Sequence, residues 1–323
     1  MKILVTGGTG FIGSHLIGAL LQDDRSQVYA LVRNSAKLQN FDFKDKITVI
    51  HGDLFRSEPF PADIELVFHL AALTKIVSPQ EFIHINHEGT LSLLEKLQPL
   101  KNLRKVVLLS SLAAAGPNRG QAALREDMPA DPISLYGKSK LAQDKLFSEH
   151  CPAPHVIVRA PIVFGPGDLD MLDAFRMVRK GVIPLLGQKE RRYSVIYVKD
   201  LVRGMIAAAA SHCQNEILYI ANAEPVEWQS FLEHVSRLLG RKKIRKIVVP
   251  EILGRGLAEL SEIRIRAFKR KSIFNRDKFN EMRFPAWVCS SEKIANLLHF
   301  QPQIPLHDAL QETIRWYQEH KLL

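Results

Sequence analysis

Cysteine is scarce. The 323-residue chain has three, Cys151, Cys213 and Cys289, far apart and odd in number. That argues against a disulfide framework or a cysteine-based metal cluster, and for a reducing compartment. The chain also lacks the run of roughly eighteen apolar residues that a membrane span requires. Its start, residues 1–6, has a strand pattern rather than the basic head and apolar stretch of a secretory signal, so a cytoplasmic location is expected. No internal repeat or low-complexity tract is present. With 46% hydrophobic and 24% charged residues, the composition is that of a globular chain with one large or two intermingled domains. A general basic excess is missing too, although the net charge is +10. Residues 237–283 hold fifteen Lys and Arg against five Asp and Glu, and the rest of the chain balances. No nucleic-acid partner is expected, because the charge is local and no aromatic stacking set accompanies it.

What is present is an alternation. Apolar runs at 2–6, 28–32, 48–50, 66–70, 106–110 and 156–158 predict strands, and stretches at 14–21, 81–97 and 134–149 predict helices. The order implies an α/β fold, a Rossmann-type doubly wound parallel sheet with helices on both faces. The strands are nearly continuous in Val, Ile and Leu, as in a sheet buried on both sides. After Phe164, the stretch Gly165-Pro166-Gly167-Asp168 reads as a turn, 171–180 as a helix, 193–198 as a strand and 200–210 as a helix. Helical patterns dominate from Glu224. We expect a dinucleotide-binding domain over 1–164 plus roughly 195–222. A smaller, mostly helical substrate-binding region would span 165–194 and 223–323.

Thr6-Gly7-Gly8-Thr9-Gly10-Phe11-Ile12-Gly13 lies between the first strand and the first helix. Gly7 permits a tight turn, Gly10 lets backbone approach a pyrophosphate, and Gly13 lets helix pack on strand. The helix N-terminus then offers N–H groups to the phosphates. The second strand ends Ala30-Leu31-Val32-Arg33-Asn34, without the acid that would hold the ribose hydroxyls of NAD. Arg33 stands where a 2′-phosphate would lie, and a guanidinium pairs with phosphate through two hydrogen bonds. NADP is therefore the expected cofactor and NAD the alternative; a solvated arginine at a strand end would read the same. Asp53, in Gly52-Asp53-Leu54, could accept from an adenine amino group or cap its own turn, and position alone leaves both open.

Tyr136 and Lys140 are four apart on one face of a predicted helix. An ammonium beside a phenol favours phenolate and lowers its pKa. A tuned tyrosine can exchange a proton with a carbonyl or alcohol oxygen. Ser111 follows a strand at its C-terminal end, where such sites form, and its hydroxyl could bond the same oxygen.

With these residues the chain resembles an extended short-chain dehydrogenase/reductase of the NAD-dependent epimerase/dehydratase superfamily. The resemblance rests on the glycine turn, Gly52-Asp53-Leu54, His69-Leu70-Ala71-Ala72, Asn86 with Gly89-Thr90, Ser110-Ser111, Tyr136-Gly137-Lys138-Ser139-Lys140 and Gly165-Pro166-Gly167-Asp168. It weakens but persists through Trp287-Val288-Cys289 and Thr313-Ile314-Arg315-Trp316-Tyr317. It implies that Tyr136 is the general acid/base, that Lys140 holds the nicotinamide ribose, and that Ser111 orients the substrate oxygen. Ser111 is preferred to Ser110 because it lies five residues before Gly116. Gly7, Gly10, Phe11, Ile12, Gly13, Arg33, Asp53, Leu54, Ala71, Ala72, Pro161 and Val163 would line the cofactor together with Tyr136 and Lys140. Asn86 would brace the sheet. A homodimer is also implied.

Departures from the family pattern narrow the branch. Leu112-Ala113-Ala114 replaces the acid that sugar dehydratases of this family carry after the active serine or threonine. Ala113 and Ala115 stand where many epimerases keep Ser or Thr and then Tyr. Tyr193-Ser194-Val195 stands where nucleotide-sugar enzymes often place Arg-Asp-Phe, although Arg191 and Arg192 are close. The remainder resembles the dihydroflavonol-reductase and 3β-hydroxysteroid-dehydrogenase-like branch. The reading is thus an NADP-dependent oxidoreductase acting on a ketone or secondary alcohol of a bulky small molecule. The alternatives are a nucleotide-sugar 4-epimerase with tightly bound NAD and a non-catalytic dinucleotide-sensing or assembly protein. Thr74, Lys75, Phe164, Met171, Phe175 and Tyr193 are the candidate substrate contacts, though an apolar helical stripe is more often core. The basic segment 237–283 could lie on an anionic membrane, form a mouth for an acidic substrate, or be a solvated face.

Overall fold

The computed structural model describes residues 1–74, 78–120, 122–187, 190–268 and 276–323. In chain order the strands are β1 (Lys2–Thr6), β2 (Gln27–Val32), β3 (Thr48–His51), β4 (Leu66–His69), β5 (Lys105–Ser111), β6 (His155–Ala160), β7 (Ile162–Phe164), β8 (Val182–Leu186), β9 (Arg192–Tyr193), β10 (Val195–Tyr197), β11 (Glu216–Tyr219), β12 (Val226–Glu227), β13 (Arg245–Val249) and β14 (Ala286–Trp287). The helices are α1 (Phe11–Leu20), α2 (Pro79–Phe82), α3 (Gly89–Leu97), α4 (Leu135–His150), α5 (Leu172–Arg179), α6 (Val198–Ala210), α7 (Trp228–Leu238), α8 (Glu251–Phe268), α9 (Arg276–Met282), α10 (Glu292–Leu298) and α11 (Leu306–Glu319).

Seven strands form one all-parallel sheet in the order β11-β6-β5-β4-β1-β2-β3. Alternate residues of each strand feed opposite cores, because side chains along a strand alternate in direction. Ile3, Val5, Val107, Val156 and Val158 pack with Leu16, Ile17 and Leu201 on one face. Leu4, Val106, Leu108 and Ile157 pack with Leu93, Leu94 and Phe147 on the other. The chain crosses back over β1 after β3, so a crevice opens at the C-terminal ends of β1 and β4, where doubly wound sheets bind ligands.

The C-terminal half has its own core. Phe164, Phe175, Ile183, Phe231, Leu232, Leu310 and Tyr317 are buried together there. Six short strands, β7, β8 and β11–β14, were not predicted, and two of the predicted elements differ from the sequence expectation. The predicted strand at 193–198 is split at Ser194. Residue 193 pairs with Trp287 of β14 and Val226 of β12, whereas β10 pairs with β7. The Ser194 N–H donates to the Trp287 carbonyl (2.8 Å), which turns the chain from one small sheet to the other. The predicted helix at 81–97 is continuous but opens into a π turn over Ile83–Glu88. Its start is a capping box, in which the Ser78 N–H donates to the Glu81 carboxylate (2.9 Å).

Candidate active site

The glycine turn is built for close approach. Gly7 has a φ of 73°, and a Cβ on it would lie 2.7 Å from the Ala71 backbone nitrogen. A Cβ on Gly13 would collide with the Gly7 carbonyl oxygen. A side chain at Gly7 would strike the backbone just after β4, and one at Gly13 the turn between β1 and α1. Helix α1 begins at Gly10 without a side-chain cap, which leaves its first N–H groups directed at the crevice. Backbone donors, helix dipole and absent side chains suit a pyrophosphate. Gly10, Phe11, Ile12 and Gly13 line the cleft, as do Ala72, Pro161 and Val163.

Arg33 is exposed just beyond β2 and close enough to Asp53 for its charge to lower that carboxyl. The larger cause is hydrogen bonding: Asp53 Oδ1 accepts from the N–H groups of Phe55 (2.9 Å) and Arg56 (2.8 Å). One Asp53 oxygen therefore caps its turn, the second of the roles open in the sequence. Leu54 is buried in the core, packed beneath Gly89.

Tyr136 lies in the first turn of α4, and Ser111 at the end of β5. The Ser111 hydroxyl accepts from the Ala113 N–H (3.2 Å) and lies close enough to the Tyr136 phenol to draw its pKa down. Ser110, one residue earlier and on the opposite strand face, is buried beside Asp144. The first turn of α4 is fixed from two sides. Ser134 Oγ accepts from the Gly137 N–H (3.0 Å), and Asp277 of α9 accepts from the N–H groups of Leu135 (2.8 Å) and Tyr136 (3.3 Å). Deeper in α4, the Asp144–Arg159 ion pair (2.8 Å) ties the helix to β6.

The expected lowering of the Tyr136 pKa by Lys140 is not what the site shows. Burial pushes the phenol up to about 12, against the smaller opposing effect of the nearby Ser111 hydroxyl. The Lys140 ammonium is turned to the Leu109 carbonyl (2.8 Å) and the Gln143 amide oxygen. It is itself desolvated and pushed down to about 8. The third ammonium proton has no protein partner among the described residues, and Lys140 lines the cleft, as a ribose-binding lysine must.

Beneath Lys140 runs a buried polar chain. Gln143 donates to Thr90 Oγ1 (2.7 Å), and the Thr90 hydroxyl donates to the Asn86 carbonyl (2.8 Å). His69 Nε2 also meets Thr90 Oγ1 (3.0 Å), and its Nδ1 meets Thr6 Oγ1 (2.7 Å). The Thr90 proton is committed to Asn86, so the shorter of the two Nε2 contacts, 3.0 Å to Thr90 against 3.4 Å to Gln143 Nε2, favours the imidazole proton on Nε2, with Nδ1 accepting from Thr6. Burial keeps that imidazole neutral, with its pKa down to about 3. Asn86, in the π turn, accepts from the Leu73 N–H (2.7 Å) and donates to Ser139 Oγ (3.1 Å). It braces the loop after β4 against α4, as expected.

The candidate substrate contacts divide. Thr74, Met171 and Tyr193 line the cleft. Phe164 and Phe175 do not; both are fully buried in the second core, Phe164 against Tyr197 and Phe231 and Phe175 against Tyr317. The apolar stripe that suggested them is packing. Lys75 lies outside the described residues. Around Tyr136 the walls are apolar: Phe82 faces its ring (5.9 Å), and Leu112, Ala113 and Trp287 pack nearby. The sequence reading missed Gln143, Asp277 and the Lys278–Glu281 pair (3.0 Å) at the cleft. Gln143 had a signal, its place on the Tyr136–Lys140 face of α4. Asp277, 141 residues from its nearer partner Tyr136, had none.

A model of the NAD dependent epimerase/dehydratase family matches residues 3–221. The chain is 27% identical over 328 residues to the ceramide reductase of Caulobacter vibrioides, covering 98% of this chain and 94% of that one. It is 26% identical over 337 residues to the bovine sterol-4-alpha-carboxylate 3-dehydrogenase, decarboxylating (Bos taurus), covering 97% and 92%. Among solved structures, UDP-glucuronic acid 4-epimerase from Bacillus cereus, in complex with UDP-glucuronic acid and NAD, superposes with a TM-score of 0.78. That likeness covers 99% of this chain and 100% of the other at 23% identity, and shows the fold. The glycine cradle, the Ser111–Tyr136 contact and the family match over most of the chain agree: this protein is an enzyme of the NAD dependent epimerase/dehydratase family, within the extended short-chain dehydrogenase/reductase superfamily.

Proposed function

We propose that the enzyme is an NADP-dependent oxidoreductase acting on a ketone or secondary alcohol of a bulky, largely apolar small molecule. One observation carries the reading: the Tyr136 phenol, beside the Ser111 hydroxyl, sits in an apolar part of the cleft walled by Phe82, Leu112, Ala113 and Trp287. The dinucleotide, when bound, supplies or accepts the hydride. The chain's residues orient the substrate and move the proton. Ser111 and Tyr136 present two hydroxyls to one substrate oxygen. Burial keeps Tyr136 protonated at physiological pH, so in the reducing direction it holds the proton that the oxygen takes as it gains charge. Lys140, fixed on Leu109 and Gln143, would hold the ribose of a bound dinucleotide with its remaining N–H and offset charge developing on the phenol. Arg33, exposed at a strand end without an acid, supports the 2′-phosphate preference.

The rival reading is a nucleotide-sugar 4-epimerase with tightly held NAD, as the solved relative's ligands suggest. It needs a cation to grip a diphosphate. Arg191 is buried with its Nε on the Met282 carbonyl (3.0 Å), and neither it nor Arg192 lines the cleft, whereas Arg276 and Lys278, which do, are engaged by Glu259 and Glu281. The test is Tyr136→Phe, assayed against a panel of bulky ketones with NADPH. Turnover should fall at least on the order of a hundredfold, while NADPH affinity, read by tryptophan fluorescence, holds. Unchanged turnover would sink the proposal. So would NAD released on denaturing the purified protein together with sugar-nucleotide interconversion without added cofactor.

A further inference from the structure

Helix α8 packs inside out. Its buried side carries small residues: Gly254, where a Cβ would lie 2.7 Å from Leu186 and 2.9 Å from Phe279, and Ala258. The large apolar residues described over 251–261 point the other way. Ile252 is 84% exposed, and Leu253, Leu257 and Leu260 are each more than half exposed. At 100° per residue these four fall on one face of the helix. Ile247 and Val248 of β13, just before it in the chain, are also exposed. Six of the twelve exposed large apolar side chains of the described residues thus lie between 247 and 260. Scattered singly they would need no explanation; gathered on one face they mark a docking surface.

The charges around the patch say what it meets. Arg241, Lys242, Lys243, Arg245 and Arg255 are exposed and have no carboxylate partner among the described residues. The nearby acids are already engaged, Glu251 by Arg283, Glu259 by Arg276 and Glu233 by Lys246. A second copy docked by twofold symmetry would set this cationic rim against itself. An anionic lipid surface answers both features, taking the apolar face into the headgroup boundary and the cations onto its phosphates. No helix among the described residues is long and apolar enough to cross a membrane, so the contact is peripheral.

We propose that the α8–β13 face docks this enzyme on the surface of an anionic membrane. Leu257 belongs both to the patch and to the cleft lining, so the cleft mouth would open at the bilayer. The docking rests on the surface alone and not on the oxidoreductase reading. The experiment is co-sedimentation of the full chain with vesicles of phosphatidylcholine alone or mixed in equal parts with phosphatidylglycerol. The protein should pellet with the mixed vesicles, release as salt is raised, and stay in solution with phosphatidylcholine. Lys242→Gln/Lys243→Gln/Arg245→Gln should weaken binding on the order of a hundredfold, roughly fivefold per charge. Ile252→Gln/Leu253→Gln/Leu260→Gln should abolish it. All six side chains are exposed, so NADPH binding and turnover of a soluble ketone should persist in both variants, which keeps the two proposals separately testable. Equal binding to both kinds of vesicle, or binding unaffected by either variant, overturns the docking. So does a failure to bind vesicles, whether or not the apolar variant abolishes a self-association seen in sedimentation velocity.

Discussion

His69 gives the buried chain beneath the site a measurable pH signature. Its imidazole is wholly buried between Thr6 and Thr90 and shares the Lys140 neighbourhood, and burial holds its pKa at about 3 against an ordinary 6.5. Protonation would also put a hydrogen on Nδ1, where the Thr6 hydroxyl already donates. The unfolded chain binds this proton near its ordinary value and the folded chain refuses it. Stability is therefore full above about pH 6.5 and is lost progressively as pH falls toward about 3. At about pH 5 the unfolded imidazole is roughly 1.5 units past its midpoint while the folded one is still neutral. At ~1.36 kcal/mol per unit, this residue alone removes about 2 kcal/mol of stability there. Urea unfolding of wild type and His69→Gln at about pH 7.5 and about pH 5 isolates the effect. The variant should be less stable at the higher pH, since it loses the fitted ring. Its deficit should shrink by about 2 kcal/mol at the lower pH, because glutamine does not titrate. Parallel losses in the two proteins would refute the assignment of a neutral, proton-refusing imidazole.

Other expectations follow from the same geometry. Arg33→Ala should weaken NADPH binding about ten- to a hundredfold, the worth of charge-assisted hydrogen bonds, and leave NADH binding unchanged; an equal change for both in fluorescence titration would remove the basis for the NADP preference. Turnover in the reducing direction should fall as pH rises through about 8, where the Lys140 ammonium titrates, because the Tyr136 phenol, at about 12, stays protonated. A profile level to about pH 10 would show that Lys140 is not the titrating group. Asp277→Ala should cost about 1 kcal/mol of stability as a lost helix cap and lower kcat more than NADPH affinity, because Tyr136 sits in the turn it holds. A kcat unchanged in folded protein would show that the cap only stabilises.

Much of the dinucleotide half was legible because its signals are local. Nearly continuous apolar strands, glycines at 7, 10 and 13, and Tyr136 one helical turn before Lys140 each declare themselves within a few residues. Strand β11 was missed because Glu216–Tyr219 is short and lies far from the alternation. It gains its place only by pairing with β6. The stripe containing Phe164 and Phe175 was ambiguous in principle, since a core and a ligand wall ask for the same residues and only the packing partner tells them apart. The pKa of Tyr136 was read in the wrong direction for a related reason. Sequence spacing brings Lys140 near, but it does not show that two acceptors, Leu109 and Gln143, claim the ammonium, or that desolvation outweighs the charge.

These long-range contacts converge on α4, which makes that helix the joint of the molecule. Its first turn hangs on Asp277 from the C-terminal half. Its middle is tied to the π turn through Ser139 and Asn86, and to β5 through Lys140 and Leu109. Farther along, Asp144 meets Arg159 of β6. The turn carrying the phenol is thus held in part by the C-terminal half, and the lysine by the N-terminal half. Movement of the α8–α9 segment would reach Tyr136 through one carboxylate, whereas Lys140 is locked from below by groups that no surface event touches. An event at the outer face of α8 would on this geometry alter the position of the phenol before it altered the binding of the cofactor.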